Sequence, residues 1–306
     1  MRVVDSSFKT TCPVTRTTSE RSSIRLVCLM LVAALLTGCS VLQAVYSQAP
    51  RYVQWRTNVA HHFSAEQYSL AKTAIQRWFE WHRQGQMPLM APLLAQAAED
   101  VKGPISPALA CERRDAYLTI TKQAVAQAAP LAAEVMVRLV PAQVARVQTF
   151  FRDTNDTFRE KYLSDDPTTQ AELAVDFLAT WGGLVYGDLS DAQRARLTRE
   201  VMALPFNART ILQEFQRFQG HYVQLLRDTQ AQQLSPEEVA RRLEALVLEG
   251  IDPQEPQRQA QMQRWVKAGC AFASSFQAQT TPEQRARASR TLAGWQRDVL
   301  AIVASR

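Results

Sequence analysis

Histidine is scarce in this 306-residue chain, and patterns that would bind a metal ion are absent. The four histidines, His61, His62, His82 and His221, form neither an H-E-x-x-H motif nor a Cys/His pattern with zinc-ligand spacing. His61 and His62 are adjacent, so on a helix they would point about 100° apart and make a poor pair of ligands. We therefore predict no metal site and no cofactor.

Catalytic motifs are also missing. There is no G-x-S-x-G nucleophile elbow, and the glycine-rich stretch 182–187 lacks a phosphate-binding lysine, so it is better interpreted as a helix-ending turn. Asp165 and Asp166 stand beside a proline, which favours a helix-initiating turn over an acid–base pair. An enzymatic role is therefore uncertain, and the sequence leans against one.

The chain lacks the dense basic stripe with interleaved aromatics that a nucleic-acid-binding protein carries. Its net charge is +6, but residues 1–38 hold five of the Lys and Arg and two of the acids. The remainder has 30 basic and 27 acidic residues, a net charge of +3. We expect no nucleic-acid partner and at most a weak attraction to anionic lipid or cell-wall polymer.

Glycine and proline are too few for a low-complexity protein, with ten and fourteen residues respectively. Hydrophobic residues make up 46% and aromatic residues 8% of the chain, enough for a sizeable core. We therefore expect a globular protein of one large domain or two small ones.

The most informative segment present is a short apolar run near the amino terminus. Arg21 and Arg25 precede the apolar residues 26–36, and Leu36-Thr37-Gly38-Cys39 ends the run. A basic flank, a short apolar core and small residues form a secretory signal peptide, and the cysteine directly after them is typical of a lipoprotein. The run is shorter than the roughly 20 residues of a membrane span. We predict cleavage before Cys39 and lipidation of its thiol.

An ordinary signal peptide, or a buried hydrophobic segment, is the alternative interpretation of this run. If Cys39 is lipidated, it anchors the chain in a membrane through palmitate or a similar acyl chain. Ser40 follows the cysteine, where an aspartate would suggest retention in the inner membrane. We therefore expect anchoring at the periplasmic face of the outer membrane rather than the inner one.

The cysteines sort into three groups under this interpretation. Cys12 and Cys28 leave with the leader, Cys39 carries lipid, and Cys111 and Cys270 remain. An even pair outside the cytosol favours a disulfide between Cys111 and Cys270. The alternative is two separate buried thiols that pack as small hydrophobic residues.

Apolar residues recur at three-and-four spacing along most of the mature chain, which predicts an all-α fold of about ten to twelve amphipathic helices in an array or bundle. Hydroxyl, proline and Gln or Glu patterns typical of helix starts predict where these helices begin. The predicted starts lie near Ser64, Ser106, Pro141, Ser190, Ser235 and Thr281.

Glycine and proline positions predict where the helices are interrupted and how the chain divides into segments. We expect Gly85, Pro88 and Pro92 to interrupt the chain after the first aromatic helix, Pro130 to mark a further turn, and Gly182-Gly183 to end a helix. The predicted segments are a leader at 1–38, a lipid-anchored segment at 39–63 and a helical domain at 64–306, with a possible subdivision near 164–189.

The densest aromatic cluster runs from Trp78 to Arg83. Trp78 and Trp81 are three residues apart and share a helix face, with His82 beside them. Core packing is the default interpretation. The alternative is a binding patch formed by Trp78, Trp81 and His82 for lipid, glycan or a partner helix.

Several segments together resemble a family of uncharacterised, all-helical Gram-negative envelope lipoproteins that carries a domain of unknown function. The matching segments span most of the mature chain and are Gly38-Cys39-Ser40, 45–55, Phe63 to Gln67, Trp78 to Arg83, 158–163 and Trp181-Gly182. The resemblance implies a helical, lipid-anchored envelope protein. It supplies no catalytic residues.

Two functions are compatible with these patterns. The first is a lipid-anchored envelope protein that binds a protein, lipid or cell-wall component, or has a structural role. The second is an enzyme acting on cell-wall or lipid substrates, which would require a cleft with convergent acids.

Overall fold

A computed structural model describes residues 41–305, and the regular structure in that range is helical, without a strand. The helices are α1 (Val41–His61), α2 (Ala65–Trp81), α3 (Met87–Asp100), α4 (Pro107–Met136), α5 (Pro141–Tyr162), α6 (Pro167–Tyr186), α7 (Asp191–Met202), α8 (Ala208–Ala231), α9 (Pro236–Ile251), α10 (Pro256–Gln279) and α11 (Pro282–Ala304). A π-helical turn, His82–Gln86, separates α2 from α3. The predicted all-α class is confirmed. The predicted leader at 1–38 and Cys39 lie outside the described residues.

The predicted helix starts are confirmed, and side-chain capping explains them. The hydroxyls of Ser64 and Thr281 each accept a hydrogen bond of 3.2 Å from the backbone N–H of the glutamine three residues on. Ser106, Ser190 and Ser235 make the same kind of contact at the starts of α4, α7 and α9. These bonds satisfy backbone donors that have no partner within the helix.

Three predicted breaks are wrong. Pro92 lies inside α3, Pro130 inside α4, and Gly182-Gly183 inside α6. Local breakers are overridden because each helix buries apolar side chains against its neighbours on both sides of the proline or glycines, and that packing supplies most of a helix's stability.

The predicted interruption at Gly85 and Pro88 is a change of helix type rather than a break. Within the π-helical turn the Met87 N–H donates to the His82 carbonyl, five residues back. Pro88 lies in the first turn of α3, where its missing N–H costs little. The chain therefore remains helical from α2 into α3.

The first and last described helices pack together. Leu42 and Tyr46 of α1 contact a buried cluster formed by Met87 and Ala91 of α3 with residues of α11 such as Ile302. A second cluster, which includes Ala98 and Ala288, continues the α3–α11 contact. The two ends of the described chain therefore meet at one side of the fold.

The largest buried cluster joins the middle of the chain. Ala133 of α4, Val147 of α5, Leu226 of α8 and Val239 of α9 are almost fully buried within it. This cluster holds α4 and α8, two of the four helices that surround the cavity described below.

Cys111 of α4 and Cys270 of α10 form a disulfide in the structure, with their α-carbons 5.4 Å apart. Cys270 is buried, and Cys111 is partly buried. The bond ties a helix of the amino-terminal half to one near the carboxyl terminus.

Two pairs of glutamines connect helix starts that are distant in sequence. In the buried pair, the Gln143 Nε2 donates to the Gln67 Oε1 at 2.8 Å, and the Gln67 Nε2 donates to the Gln143 Oε1 at 3.1 Å. In the outer pair, Gln193 and Gln284 exchange the same two bonds at 2.8 and 3.2 Å. All four glutamines stand at the third position of their helices, so each pair joins two caps.

Candidate binding cavity

A cavity of about 440 Å³ lies between α1, α2, α4 and α8. Its walls are mostly apolar and include Val53 of α1, Ile75 and Phe79 of α2, and Leu131 and Val135 of α4. This volume falls in the range of roughly 300–1,000 Å³ typical of sites for small molecules.

Small side chains on α2 and α4 create the space. Ala71 and Ala74 of α2 are buried at 4% and 7% exposure, and Ala128 and Ala132 of α4 also line the wall. Each pair is spaced three or four residues apart and therefore faces one side of its helix. A methyl group at these positions leaves volume that a larger side chain would fill.

The few polar groups of the wall include His61 and Tyr222 at one end of the cavity. The His61 Nε2 lies 3.1 Å from the Tyr222 hydroxyl, and its Nδ1 lies 2.9 Å from the Thr57 carbonyl oxygen. The His61 ring also stacks on Phe63, with ring centroids 5.2 Å apart. A carbonyl only accepts, so Nδ1 carries the proton and Nε2 accepts from Tyr222.

Burial sets the protonation of this pair. It lowers the pKa of His61 below its ordinary value of 6.5, and the hydrogen bond to the Thr57 carbonyl opposes this only in part. Burial also raises the pKa of Tyr222 well above 10.0. Both groups are therefore uncharged at neutral pH, as the apolar surroundings require.

The structure brings Trp78, Trp81 and His82 together, but of the three only Trp78 lines the cavity. Trp78 lines the cavity, donates from Nε1 to the Ala124 carbonyl at 3.2 Å, and stacks on His82 with centroids 4.8 Å apart. Trp81 and His82 are not part of the cavity wall.

His82 instead contacts the first helix. Its Nδ1 lies 3.0 Å from the Tyr46 hydroxyl, and burial lowers the pKa of His82. Burial likewise raises the pKa of Tyr46 to about 12, although nearby Arg83 opposes the shift. His82 is thus a partnered boundary residue that connects α1 to the end of α2.

Sequence reasoning missed the contribution of α1, His61 and Tyr222. The sequence motifs test the histidines only as metal ligands, whereas His61 pairs with a tyrosine 161 residues away. The available signal was the three-and-four spacing of alanines in α2 and α4, which marks a face without bulky side chains.

The residues that line the cavity include few reactive side chains. Asp, Glu, Lys and Arg are absent from the residues that line this cavity. Across residues 41–305, no three His, Cys, Asp or Glu side chains form a group able to hold a metal ion. The arrangement is suited to enclosing an apolar molecule.

Within residues 41–305, no helix is both long and apolar enough to span a membrane.

These features define an all-helical protein with an apolar cavity between its amino-terminal and central helices. The chain belongs to DUF6279, a family of unknown function, whose model matches residues 58–248. That range includes His61, Tyr222 and the cavity-lining parts of α2 and α4. No curated protein and no solved structure matches the chain.

Proposed function

We propose that this chain is a lipoprotein of the bacterial envelope, anchored through Cys39 at the periplasmic face of the outer membrane. Its role is to bind an apolar molecule in the cavity between α1, α2, α4 and α8. The cavity is the observation that carries the binding role, because it combines a ligand-sized volume with uncharged, mostly apolar walls.

The sequence supports the anchor. Leu36-Thr37-Gly38-Cys39 follows a basic flank and a short apolar run, and α1 begins at Val41, two residues after the cysteine. A lipid on Cys39 would therefore hold α1, and with it one wall of the cavity, close to the membrane surface. One lipid chain gives marginal binding, so stable anchoring requires the several acyl chains of a mature lipoprotein.

Replacing Cys39 with Ala tests the anchor in cells. We expect the Cys39→Ala chain to lose incorporation of radiolabelled palmitate and to leave the membrane fraction. Cys28→Ala, a cysteine substitution within the predicted leader, is the matched control and should behave as the unsubstituted chain does. A Cys39→Ala chain that retains label and pellets with membranes would refute the anchor.

An environment-sensitive apolar dye, 1-N-phenylnaphthylamine, tests the binding role in vitro. Its fluorescence should rise on binding to the Cys39→Ala chain and fall to background when Ala74→Phe fills the cavity. Ala145→Phe makes the same change at an exposed position of α5 and should leave the signal intact. Equal signals from the two phenylalanine variants would place dye binding outside the cavity.

A further inference from the structure

We propose that the cavity holds an unbranched hydrocarbon chain of about 15 carbon atoms, with the polar headgroup left outside. The inference rests on the binding role proposed above and specifies its ligand class. Four observations support it: the dimensions of the walls, the state of their hydrogen-bond donors, their charge, and the position of the cavity relative to the start of α1.

The cavity wall extends over more than two turns of each of three helices. Wall residues span 53–61 on α1, 71–79 on α2 and 128–136 on α4. Eight steps along a helix cover about 12 Å. If a methylene group takes about the 30 Å³ that a water molecule occupies in the liquid, 440 Å³ holds on the order of 15 of them. A chain of that length fits if it bends.

Every side-chain hydrogen-bond donor in the wall is already engaged. The Thr57 hydroxyl donates to the Val53 carbonyl at 2.9 Å, and the Trp78 Nε1 donates to Ala124. His61 donates to the Thr57 carbonyl, and Tyr222 donates to His61. A ligand oxygen would find no free donor among them, so the wall favours hydrocarbon.

Charge excludes the headgroup from the interior. The titratable side chains of the wall are His61 and Tyr222, and both are held neutral by burial. A carboxylate or phosphate placed there would lose its hydration without gaining a cation. The headgroup therefore stays in water while the hydrocarbon chain enters.

One end of the cavity lies towards the start of α1. Phe79 lines both the cavity and a second groove, which is bordered by Gln43 and Tyr46 of α1. The groove therefore adjoins the cavity at Phe79, on the side nearer the start of α1. Two sources of the same chemistry are compatible with this layout: an acyl chain of a membrane lipid, and an acyl chain on Cys39 itself.

Quenching of Trp78 by bromine measures occupancy directly. The Cys39→Ala chain is titrated with ω-bromo fatty acids of 8 to 18 carbons, and Trp78→Phe defines the fluorescence that does not come from the cavity. We expect about fourfold tighter binding for each added methylene, up to about 15 carbons, and no gain beyond. Affinity independent of chain length would overturn the proposal.

A cage-shaped probe tests the unbranched shape. The 11-carbon acids 3-bromoadamantane-1-carboxylate and 11-bromoundecanoate differ in shape but not in carbon number. We expect the linear acid to bind more tightly. Tighter binding of the cage would refute the hydrocarbon-chain inference and leave the binding role standing, whereas failure of both acids and of the dye would refute the binding role.

Partial filling provides a second variant that is milder than Ala74→Phe. Ala128→Leu adds three carbon atoms at a partly buried wall position and should shorten the longest chain that still gains affinity by about three carbons. Ala145→Leu is the exposed control. An unchanged length limit in a folded Ala128→Leu chain would contradict the assignment of the site.

Comparison with lipidated protein identifies the source. If the acyl chain on Cys39 occupies the cavity, the lipidated protein resists quenching by 14-bromotetradecanoate while Cys39→Ala is quenched. If membrane lipid is the source, the lipidated protein and Cys39→Ala are quenched alike once non-covalently bound lipid has been extracted from both. Either result supports a hydrocarbon-chain site, and a lipidated protein quenched more strongly than Cys39→Ala would contradict it.

Discussion

The buried glutamine pair offers a direct measurement of what burial adds to a hydrogen-bonded helix cap. The Gln143 side chain takes part in four hydrogen bonds: two with Gln67, one from the Val140 N–H at 2.9 Å, and one to the His62 carbonyl at 3.0 Å. The Gln284 side chain of the outer pair takes part in four matching bonds: two with Gln193, one from the Thr281 N–H and one to the Asp188 carbonyl. The two glutamines differ mainly in exposure.

Replacing each glutamine with methionine keeps the length of the side chain and removes its bonds. Gln143 is 6% exposed, so Gln143→Met leaves at least one buried polar group without a partner, at about 1–3 kcal/mol each. We expect a loss of about 3 kcal/mol in the free energy of unfolding. Gln284 is partly exposed and water can replace its bonds, so Gln284→Met should cost about 1 kcal/mol.

Urea unfolding followed by far-UV circular dichroism measures both values. The double variant Gln67→Met/Gln143→Met should lose about 1–2 kcal/mol less than the sum of its single changes, because each single change strands the other amide. Equal losses at positions 143 and 284, or additive losses within the buried pair, would refute the idea that burial sets the strength of these caps.

Three further predictions follow from other parts of the fold. Reduction of the Cys111–Cys270 disulfide opens a covalent loop with a sequence separation of 159 residues. On the loop-entropy model this should lower the free energy of unfolding by about 5 kcal/mol, measured by urea unfolding with and without dithiothreitol. An unchanged unfolding midpoint would argue against the bond as a major stabiliser. The pKa of His61 is lowered in the folded state, so the unfolded chain binds more protons once the pH falls below the ordinary histidine pKa of about 6.5. The contribution of His61 to stability is therefore full above that pH and is lost as the pH drops towards the lowered folded pKa. His61→Gln should reduce the slope of unfolding free energy against pH between pH 7 and pH 5, measured by urea unfolding at each pH. Gly187 has φ of +82°, and the Arg287 guanidinium lies 3.0 Å from where a Cβ would stand, so Gly187→Ala should cost about 1–2 kcal/mol of stability. Gly182 lies within α6, towards its end, with open space around it, so Gly182→Ala should stabilise by about 0.5–1 kcal/mol. Thermal melts compare the two variants, and a change of the same sign at both positions would contradict this reasoning.

Local chemistry made the helix starts predictable. A hydroxyl or proline followed by Gln or Glu acts within a single turn, so Ser64, Ser190 and Thr281 could be assigned without knowledge of the neighbouring helices. The predicted breaks at Pro92 and Pro130 are wrong for the opposite reason. Their effect depends on how the rest of the helix packs, which local sequence does not contain.

The cavity could not be predicted because its walls come from several helices that are distant along the chain. The aromatic spacing indicates Trp78, but no local pattern indicates that Tyr222 contacts His61, 161 residues away. Alanines such as Ala71 and Ala132 add little to an apolar pattern, yet here their small volume creates the site. Periodicity predicts which helix face is buried, whereas the cavity depends on the volume that the side chains of that face leave empty.

The π-helical turn at His82–Gln86 makes this point of the fold tolerant of a change in chain length. A π-helical turn contains one residue more than an α-helical turn and allows the helices on either side to keep their orientation. Deleting exposed Gln84 should convert the turn to α-helix while Gln86 still reaches the Ile120 carbonyl and Met87 still faces the core. A deletion inside α4 would instead rotate everything after it by about 100°. Members of the family that differ by one residue between the counterparts of α2 and α3 should therefore share this fold.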